Sequence, residues 1–216
     1  DAICAVVYDS IRIVMSDLPE AKFTPDPKEG CNPHEVTFTD ESTIRVGSVV
    51  RWDWSFGDGN TSSEQNPTHK YLKPGTYSVK LMVRSNANCA HEITDHVTSH
   101  IVPKAGFIPD PELVLVSSPV INFVNKTGNE TPGLKWVWNF GDHMTQGGGS
   151  SGEKNPVYRY QDTGRYLVWM WAINEHGCKD SLSREVVVMP DVLVFVPSAF
   201  SPNGEGPEDN DVFKAH

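Results

Sequence analysis

Residues 52–59 read Trp-Asp-Trp-Ser-Phe-Gly-Asp-Gly, and residues 136–143 read Trp-Val-Trp-Asn-Phe-Gly-Asp-His. Both copies continue with an Asn-Pro step, a tyrosine and a Gly-x-Tyr stretch, at residues 66–67, 71 and 75–77 in the first copy and 155–156, 160 and 164–166 in the second. The same ordered set therefore occurs twice in 216 residues. Repeats of this length indicate tandem modules, which more often connect or display than catalyse.

The stretch that begins at Tyr77 alternates apolar and polar residues, as a strand with one buried face does. One face carries Tyr77, Val79, Leu81 and Val83, and the other carries Ser78, Lys80 and Met82. Glycine and proline punctuate the chain (17 and 16 residues), and no stretch shows a long helical apolar period. Short strands at this spacing predict an all-β fold of antiparallel, immunoglobulin-like sandwiches with a tryptophan in each core.

The copies have matching entry points, because residues 23–27 read Phe-Thr-Pro-Asp-Pro and residues 107–111 read Phe-Ile-Pro-Asp-Pro. Cys4 precedes the first of these by 19 residues, and Cys89 precedes the second by 18. We therefore interpret the chain as a fragment with four parts. They are the last strand of a preceding copy (1–19), two sandwiches (20–103 and 104–190) and the beginning of a different domain (191–216).

The formal net charge of −10 argues against a nucleic-acid partner or an anionic membrane surface, since both need clustered Lys and Arg. No apolar run is long enough to predict a membrane span.

Four cysteines are present, and no pair has the Cys-x-x-Cys spacing of a metal knuckle. Cys31 lies near the start of the first copy and Cys89 near its end. A disulfide between them is one interpretation, and two buried thiols are the alternative. The disulfide would imply an oxidising compartment. The position that matches Cys31 in the second copy lies near Ser117, so Cys178 is expected to be a free buried thiol.

Catalytic patterns are not found. His34-Glu35 and His91-Glu92 lack the second histidine of a zinc protease, and no Gly-x-Ser-x-Gly motif occurs. We therefore predict that the chain is not an enzyme.

Calcium is a candidate ligand, because hard cations bind carboxylates gathered at turns. The candidate ligands in the first copy are Asp40, Asp53 and Asp58. A structural role competes with this: Asp58, like Asp142 in the second copy, would accept backbone N–H groups and hold its turn.

The Trp-x-Phe-Gly-Asp-Gly, Asn-Pro-x-x-x-Tyr and Gly-Thr-Tyr-x-Val motifs resemble the polycystic kidney disease (PKD) domain. The resemblance covers about residues 20–190 and implies an immunoglobulin-like β-sandwich in each copy. The second copy departs from the pattern at His143, where a second glycine is usual.

The C-terminal stretch is similar to the opening of the gliding-motility-associated C-terminal domain. The matching residues are Pro197, Phe200, Pro202, Asn203, Gly204, Asn210, Asp211 and Phe213. The resemblance implies a Bacteroidota protein that is exported by the type IX secretion system, with outer-membrane surface components as partners and an extracellular, cell-surface location.

The two copies differ on the outward face of the late strand. Ser78, Lys80 and Met82 of the first copy correspond to Leu167, Trp169 and Trp171 of the second, and Asp53 corresponds to Val137. These four apolar residues are expected to form one patch. Two interpretations stay open: the patch packs against a following segment such as residues 192–195, or it is a platform for a partner or a surface polysaccharide.

Taken together, the sequence predicts spacer and display modules of a large surface adhesin or gliding-associated protein, in contact with neighbouring repeats. The alternative is a carbohydrate- or protein-binding accessory module of a secreted hydrolase.

Overall fold

A computed structural model of the protein describes residues 3–8, 12–143 and 149–191, with side chains described from Ser16 onward. All secondary-structure elements in that part are β-strands, so the prediction of an all-β fold is confirmed. The two copies of the repeat, module 1 (residues 20–103) and module 2 (residues 104–190), have the same strand arrangement.

Before module 1, β1 (Ile3–Tyr8) and β2 (Arg12–Asp17) form an antiparallel hairpin. The sequence predicted one strand there, and the structure has two that pair with each other. The strands of module 1 are β3 (Phe23–Asp26), β4 (Glu29–Cys31), β5 (His34–Asp40), β6 (Val49–Ser55), β7 (Thr61–Ser62), β8 (Thr68–Tyr71), β9 (Gly75–Ser85) and β10 (Ala90–His100). Those of module 2 are β11 (Phe107–Asp110), β12 (Leu113–Leu115), β13 (Val120–Asn125), β14 (Lys135–Asn139), β15 (Ser150–Ser151), β16 (Val157–Arg159), β17 (Gly164–Ile173) and β18 (Lys179–Met189).

Each module is a sandwich of a five-stranded and a three-stranded sheet. In module 1 the orders are β4-β10-β9-β6-β7 and β3-β5-β8; in module 2 they are β12-β18-β17-β14-β15 and β11-β13-β16. The short edge strand of each larger sheet, β4 or β12, runs parallel to its neighbour, while the other pairs are antiparallel. Alternate residues of both sheets point inward and form one hydrophobic core per module.

A tryptophan lies at the centre of each core. Trp54 packs edge-on against Phe23 with ring centroids 5.1 Å apart, and Trp138 packs in the same way against Phe107 at 5.1 Å. Both indole N–H groups donate to a backbone carbonyl at 2.8 Å. The predicted core tryptophans are therefore buried with their polar atom satisfied, as buried indoles generally are.

The Gly-Asp turn of each module packs its backbone against a long strand of the larger sheet, β9 in module 1 and β17 in module 2. Gly57 has a φ of 83°, and a Cβ on it would lie 2.7 Å from the carbonyl oxygen of Ser78. Gly141 repeats this at a φ of 71°, with 2.6 Å to the carbonyl oxygen of Leu167. Only glycine fits such a position, which explains why both copies have it.

The predicted disulfide between Cys31 and Cys89 is wrong, because the two cysteines lie at opposite ends of module 1. Cys31 ends β4 and lies beside His100 at the end of β10. Cys89 directly precedes Ala90 at the start of β10. At about 3.3 Å per residue, the length of β10 separates them by about 33 Å.

Cys31 instead forms a disulfide with Cys178 of module 2, with the two Cα atoms 5.5 Å apart. The prediction that Cys178 is a free thiol is therefore also wrong. Cys178 lies in the turn between β17 and β18, which faces the end of module 1. Cys89 occupies the equivalent turn of module 1, and it is disulfide-bonded as well.

Candidate functional site

The four residues of the predicted apolar patch lie together on the outward side of the larger sheet of module 2. β14 pairs with β17, with Val137 opposite Trp171. Val137, Leu167 and Trp169 are 45%, 50% and 37% exposed, and Trp171 is half-buried. The residues between them on β17, Val168 and Met170, point into the core. We call Val137, Leu167, Trp169 and Trp171 the Trp face.

The two indoles of the Trp face are nearly parallel, with centroids 5.7 Å apart and planes 14° from parallel. The residues opposite them on β18 are Ser183 and Ser181. One charged pair lies at the border, where Arg165 donates to Glu185 at 2.6 Å. The face is thus an apolar surface edged by small hydroxyl groups and one closed ion pair.

The matching side of module 1 is polar. Lys80 and Glu92 form an ion pair at 3.1 Å across β9 and β10. Asp53, which corresponds to Val137, contacts Arg51 at 2.9 Å and lies 3.9 Å from Arg84. Its charges are paired within the module, so this side is stable in contact with water.

A second notable region is the joint between the modules. Here module 2 binds the linker that follows β10, residues 101–105. The side-chain amide of Asn174 donates to the carbonyl oxygen of Ile101 at 2.8 Å. Asn129 donates to the carbonyl oxygen of Val102 at 3.3 Å, and the backbone N–H of Ala105 donates to Asp180 at 2.9 Å. The linker is therefore held by three hydrogen bonds to module 2.

The joint is closed by side chains from both modules. His100 at the end of β10 stacks on His176 with ring centroids 3.6 Å apart, and Glu29 lies 3.1 Å from the ring of His100. Together with Gly30, these side chains line a cavity of about 160 Å³. The Cys31–Cys178 disulfide is the covalent part of the same joint.

The candidate calcium ligands each meet donors of the protein itself. Asp40 accepts from the indole N–H of Trp52 at 2.6 Å and from the Gln65 amide at 3.0 Å. Asp53 binds the arginines described above. No three acidic, histidine or cysteine side chains in the described part of the chain are grouped so as to hold a metal ion. These contacts give the calcium interpretation no support.

Asp58 holds its turn, as the structural alternative predicted. It accepts from the backbone N–H of Asn60 at 3.0 Å and lies 2.8 Å from the ring of His69. Burial opposes ionisation of Asp58, but the hydrogen bonds from His69 and Asn60 outweigh it and hold its pKa below the usual value. In module 2, Tyr158 takes the place of His69 and donates to Asp142 at 2.9 Å.

The sorting-type residues from Pro197 to Phe213 lie outside the described residues. In the part of the chain that is described, no helix has the length and apolar character to cross a membrane.

The joint was missed by sequence reasoning. A usable signal was present, because both Cys89 and Cys178 come after a strand and immediately precede the next one, in the manner of a hairpin turn. A cysteine in such a turn lies at one end of its sandwich, where the neighbouring module begins.

Comparison with known proteins gives the family and several relatives. The family of the PKD domain matches residues 16–101 and again residues 103–189. Collagenase ColA of Bacillus cereus is 36% identical over 90 residues, which are 41% of this chain and 9% of that protein. Polycystin-1 of Homo sapiens is 29% identical over 149 residues, 66% of this chain and 3% of its own length. Pre-pro-metalloprotease PrtV of Vibrio cholerae is 40% identical over 62 residues, 27% of this chain and 7% of that protein.

This chain therefore matches less than a tenth of each of these relatives. Among solved structures, the PKD1 domain of Vibrio anguillarum Epp shows 26% sequence identity and a TM-score of 0.37, over 40% of this chain and 98% of that one. The family match extends over both modules, and the chain belongs to the PKD domain family.

Proposed function

We propose that the chain is a non-catalytic spacer of a secreted protein, in which two PKD modules are held in one fixed orientation. The observation that carries the proposal is the Cys31–Cys178 disulfide between the modules. The linker contacts of Asn174 and Asp180 support it, since a flexible connection would leave the linker free. A fixed pair of sandwiches keeps the regions on its two sides at a constant distance.

Disulfides form and persist in oxidising compartments, and this supports an extracellular location. The acidic net charge of −10 suits a soluble surface module.

Two kinds of parent protein fit the spacer. The similarity to a short part of Collagenase ColA and of metalloprotease PrtV supports an accessory part of a secreted hydrolase. The sorting-type residues of the C-terminal stretch support a cell-surface adhesin or gliding-associated protein that is exported by the type IX system. Outer-membrane components of that system would then be partners.

The spacer proposal is tested by the orientation of the modules in solution. Residual dipolar couplings of the oxidised chain should fit one shared alignment tensor for both modules. The Cys31→Ser/Cys178→Ser variant should lose part of this agreement, while each module keeps its own chemical shifts. Two independent tensors in the oxidised wild type would contradict a fixed spacer.

Binding is a second candidate function, favoured by the exposed Trp face. Co-sedimentation of the chain with insoluble collagen and with insoluble polysaccharides distinguishes a binding module from a spacer. A spacer stays in the supernatant. A binding module sediments, and the Trp169→Ser/Trp171→Ser variant should then release it, while Lys80→Ser, on the matching side of module 1, should not.

Pull-down from outer-membrane extracts of the source organism tests which kind of parent protein contains the chain. Retention of surface or export components by the full chain, and not by a chain that ends at Met189, supports the type IX assignment. Equal results with both chains contradict it.

A further inference from the structure

The cysteine content of the chain bears on the partner of Cys89. Cys89 is disulfide-bonded, and Cys31 and Cys178 are bonded to each other. The sequence contains four cysteines, so the one that remains is Cys4. Cys4 lies in β1, the first strand of the hairpin that precedes module 1. This count points to a second covalent joint, between the hairpin and module 1.

The turn that contains Cys89 is built like the turn that contains Cys178. In both turns the backbone N–H of the cysteine donates to the side chain four residues earlier, which is Ser85 at 3.2 Å in module 1 and Asn174 at 2.9 Å in module 2. Both turns also have a residue of positive φ directly before the cysteine. Module 1 therefore positions the backbone of its cysteine as module 2 does.

The stretches that lead into the two modules are held in the same way. The backbone N–H of Ala105 donates to the carboxylate of Asp180 at 2.9 Å. The backbone N–H of Ala21 donates to Nδ1 of His91, also at 2.9 Å. Each acceptor lies two residues after the cysteine of its turn. The approach of the chain to the cysteine turn is thus the same at both modules.

The hairpin has a cysteine at the place that the joint requires. Cys31 lies beside His100, which is seven residues before the first core phenylalanine of module 2. Cys4 lies beside Ser16, which is seven residues before the first core phenylalanine of module 1. The strand of Cys4 runs antiparallel to its neighbour and that of Cys31 runs parallel, but both place a cysteine beside the end of the last strand before a module.

An ion pair holds this end of the hairpin against module 1. Asp17 ends β2, and Arg45 donates to its two carboxylate oxygens at 3.0 Å each. The loop of Arg45 also contacts the cysteine turn, because the backbone N–H of Asn86 donates to the carbonyl oxygen of Ser48 at 2.9 Å. The end of the hairpin at which Cys4 pairs is therefore held beside that turn.

We propose that Cys4 and Cys89 form a disulfide, and that this bond and Cys31–Cys178 are two copies of one joint. The end of module 1 around Cys89 is then an interaction surface for a β-sheet unit that has a cysteine beside its last strand. Formation of the bond removes two protons and two electrons from the two thiols, and a disulfide oxidant such as oxidised glutathione is reduced to two thiols.

The same comparison shows where the covalent series stops. In module 2 the residue that takes the place of Cys31 is Leu115, which lies beside Met189 at the end of β18. Leucine cannot form the bond, so module 2 accepts a covalent joint at its first end and offers none at its second. The proposal rests on the spacer function proposed above and extends it from one fixed joint to two.

Peptide mapping of the oxidised full chain tests the proposal. Free thiols are blocked with iodoacetamide, and the unreduced chain is digested with trypsin. The four cysteines then lie in four different peptides, residues 1–12, 29–45, 85–104 and 166–179. We expect mass spectrometry to find 1–12 joined to 85–104 and 29–45 joined to 166–179, with both pairs lost on reduction.

The outcomes separate this inference from the spacer function. A blocked thiol on peptide 1–12 or 85–104, a glutathione adduct there, or 85–104 joined to a second copy of itself overturns the second joint. If 29–45 and 166–179 remain joined in that case, the spacer proposal keeps its support. Absence of the pair 29–45/166–179 contradicts the spacer proposal instead.

Single variants give the matched control. Cys4→Ser should release one thiol per chain, found on peptide 85–104, and should leave the pair 29–45/166–179 intact. Cys31→Ser should release one thiol on peptide 166–179 and leave the pair 1–12/85–104 intact. Release of no thiol by Cys4→Ser would overturn the proposal, because Cys89 would then have another partner.

Discussion

The rings of His100 and His176 lie face to face across the joint, with planes 11° from parallel. One ring ends the last strand of module 1, and the other lies in the turn of module 2 that contains Cys178. The contact therefore orients the modules in addition to the disulfide.

Replacing His176 by alanine should loosen the joint, most clearly when the disulfide is absent. We expect the residual dipolar couplings of Cys31→Ser/Cys178→Ser/His176→Ala to show larger relative motion of the modules than those of Cys31→Ser/Cys178→Ser. His96→Ala, on the same strand as His100 but away from the joint, serves as the control. Identical couplings with and without His176 would mean that the stack does not orient the modules.

Acidification should destabilise module 1 through His34. This side chain is only 4% exposed, and burial lowers its pKa below 6.5, with the nearby His100 acting in the same direction. The unfolded chain then binds a proton that the folded chain resists, so stability is greatest above pH 6.5 and falls as the pH drops below it.

The measurement is the midpoint of urea unfolding from pH 7.5 to 5.5, monitored by a signal from module 1. His34→Gln should flatten this dependence, although it also loses the contact of the ring with the carbonyl oxygen of Pro27 at 3.1 Å. A wild-type midpoint that does not change over this range would contradict the role of His34.

Asn125→Asp should stabilise module 2. In module 1, the equivalent Asp40 accepts the indole N–H of Trp52. Within the described residues of module 2, the side-chain NH2 group of Asn125 and the indole N–H of Trp136 have no hydrogen-bond partner, while the amide oxygen of Asn125 accepts from the backbone N–H of Thr127 at 2.8 Å. A carboxylate oxygen in place of that NH2 group would accept a hydrogen bond from the indole N–H and contribute about 1 kcal/mol.

Hydrogen exchange of the β13 and β14 amides measures the effect of Asn125→Asp, which should slow it. The reciprocal variant, Asp40→Asn, should lower the stability of module 1 by about 1–2 kcal/mol, because the acceptor of Trp52 and Gln65 becomes a donor. Unchanged exchange in both variants would show that these hydrogen bonds do not contribute.

Gly57→Ala should destabilise module 1 more than Gly59→Ala does. Both residues have a positive φ, of 83° and 96°, so both variants acquire backbone strain of about 1–3 kcal/mol. Only at Gly57 would the new Cβ also meet backbone, the carbonyl oxygen of Ser78 at 2.7 Å; nothing lies within 4 Å at Gly59. Thermal unfolding of the two variants gives the comparison, and equal midpoints would contradict a steric requirement at Gly57.

The sequence was sufficient to predict which side chains share a face, because side chains on a strand alternate with a strict period of two. Trp169, Trp171 and Val137 lie on one outward face for this reason. The disulfide was not predictable by the same means. Cys31 lies near the start of one copy of the repeat and Cys89 near its end. Position along the chain, however, does not tell at which end of a sandwich a residue lies. That depends on β4 joining the larger sheet parallel to β10, which the alternation of a three-residue strand cannot indicate.

The joint has a consequence for a chain that is pulled from its two ends. Tension that enters through the N-terminal residues reaches Cys31 and passes across the disulfide directly to Cys178, which is 147 residues farther along the sequence. The enclosed residues form a loop outside the loaded path, and this loop includes Trp54 and Trp138. About 500 Å of extended chain is thereby kept from lengthening, and only a reducing agent would release it. While oxidised, the protein can lengthen under load only through the residues before Cys31 and after Cys178.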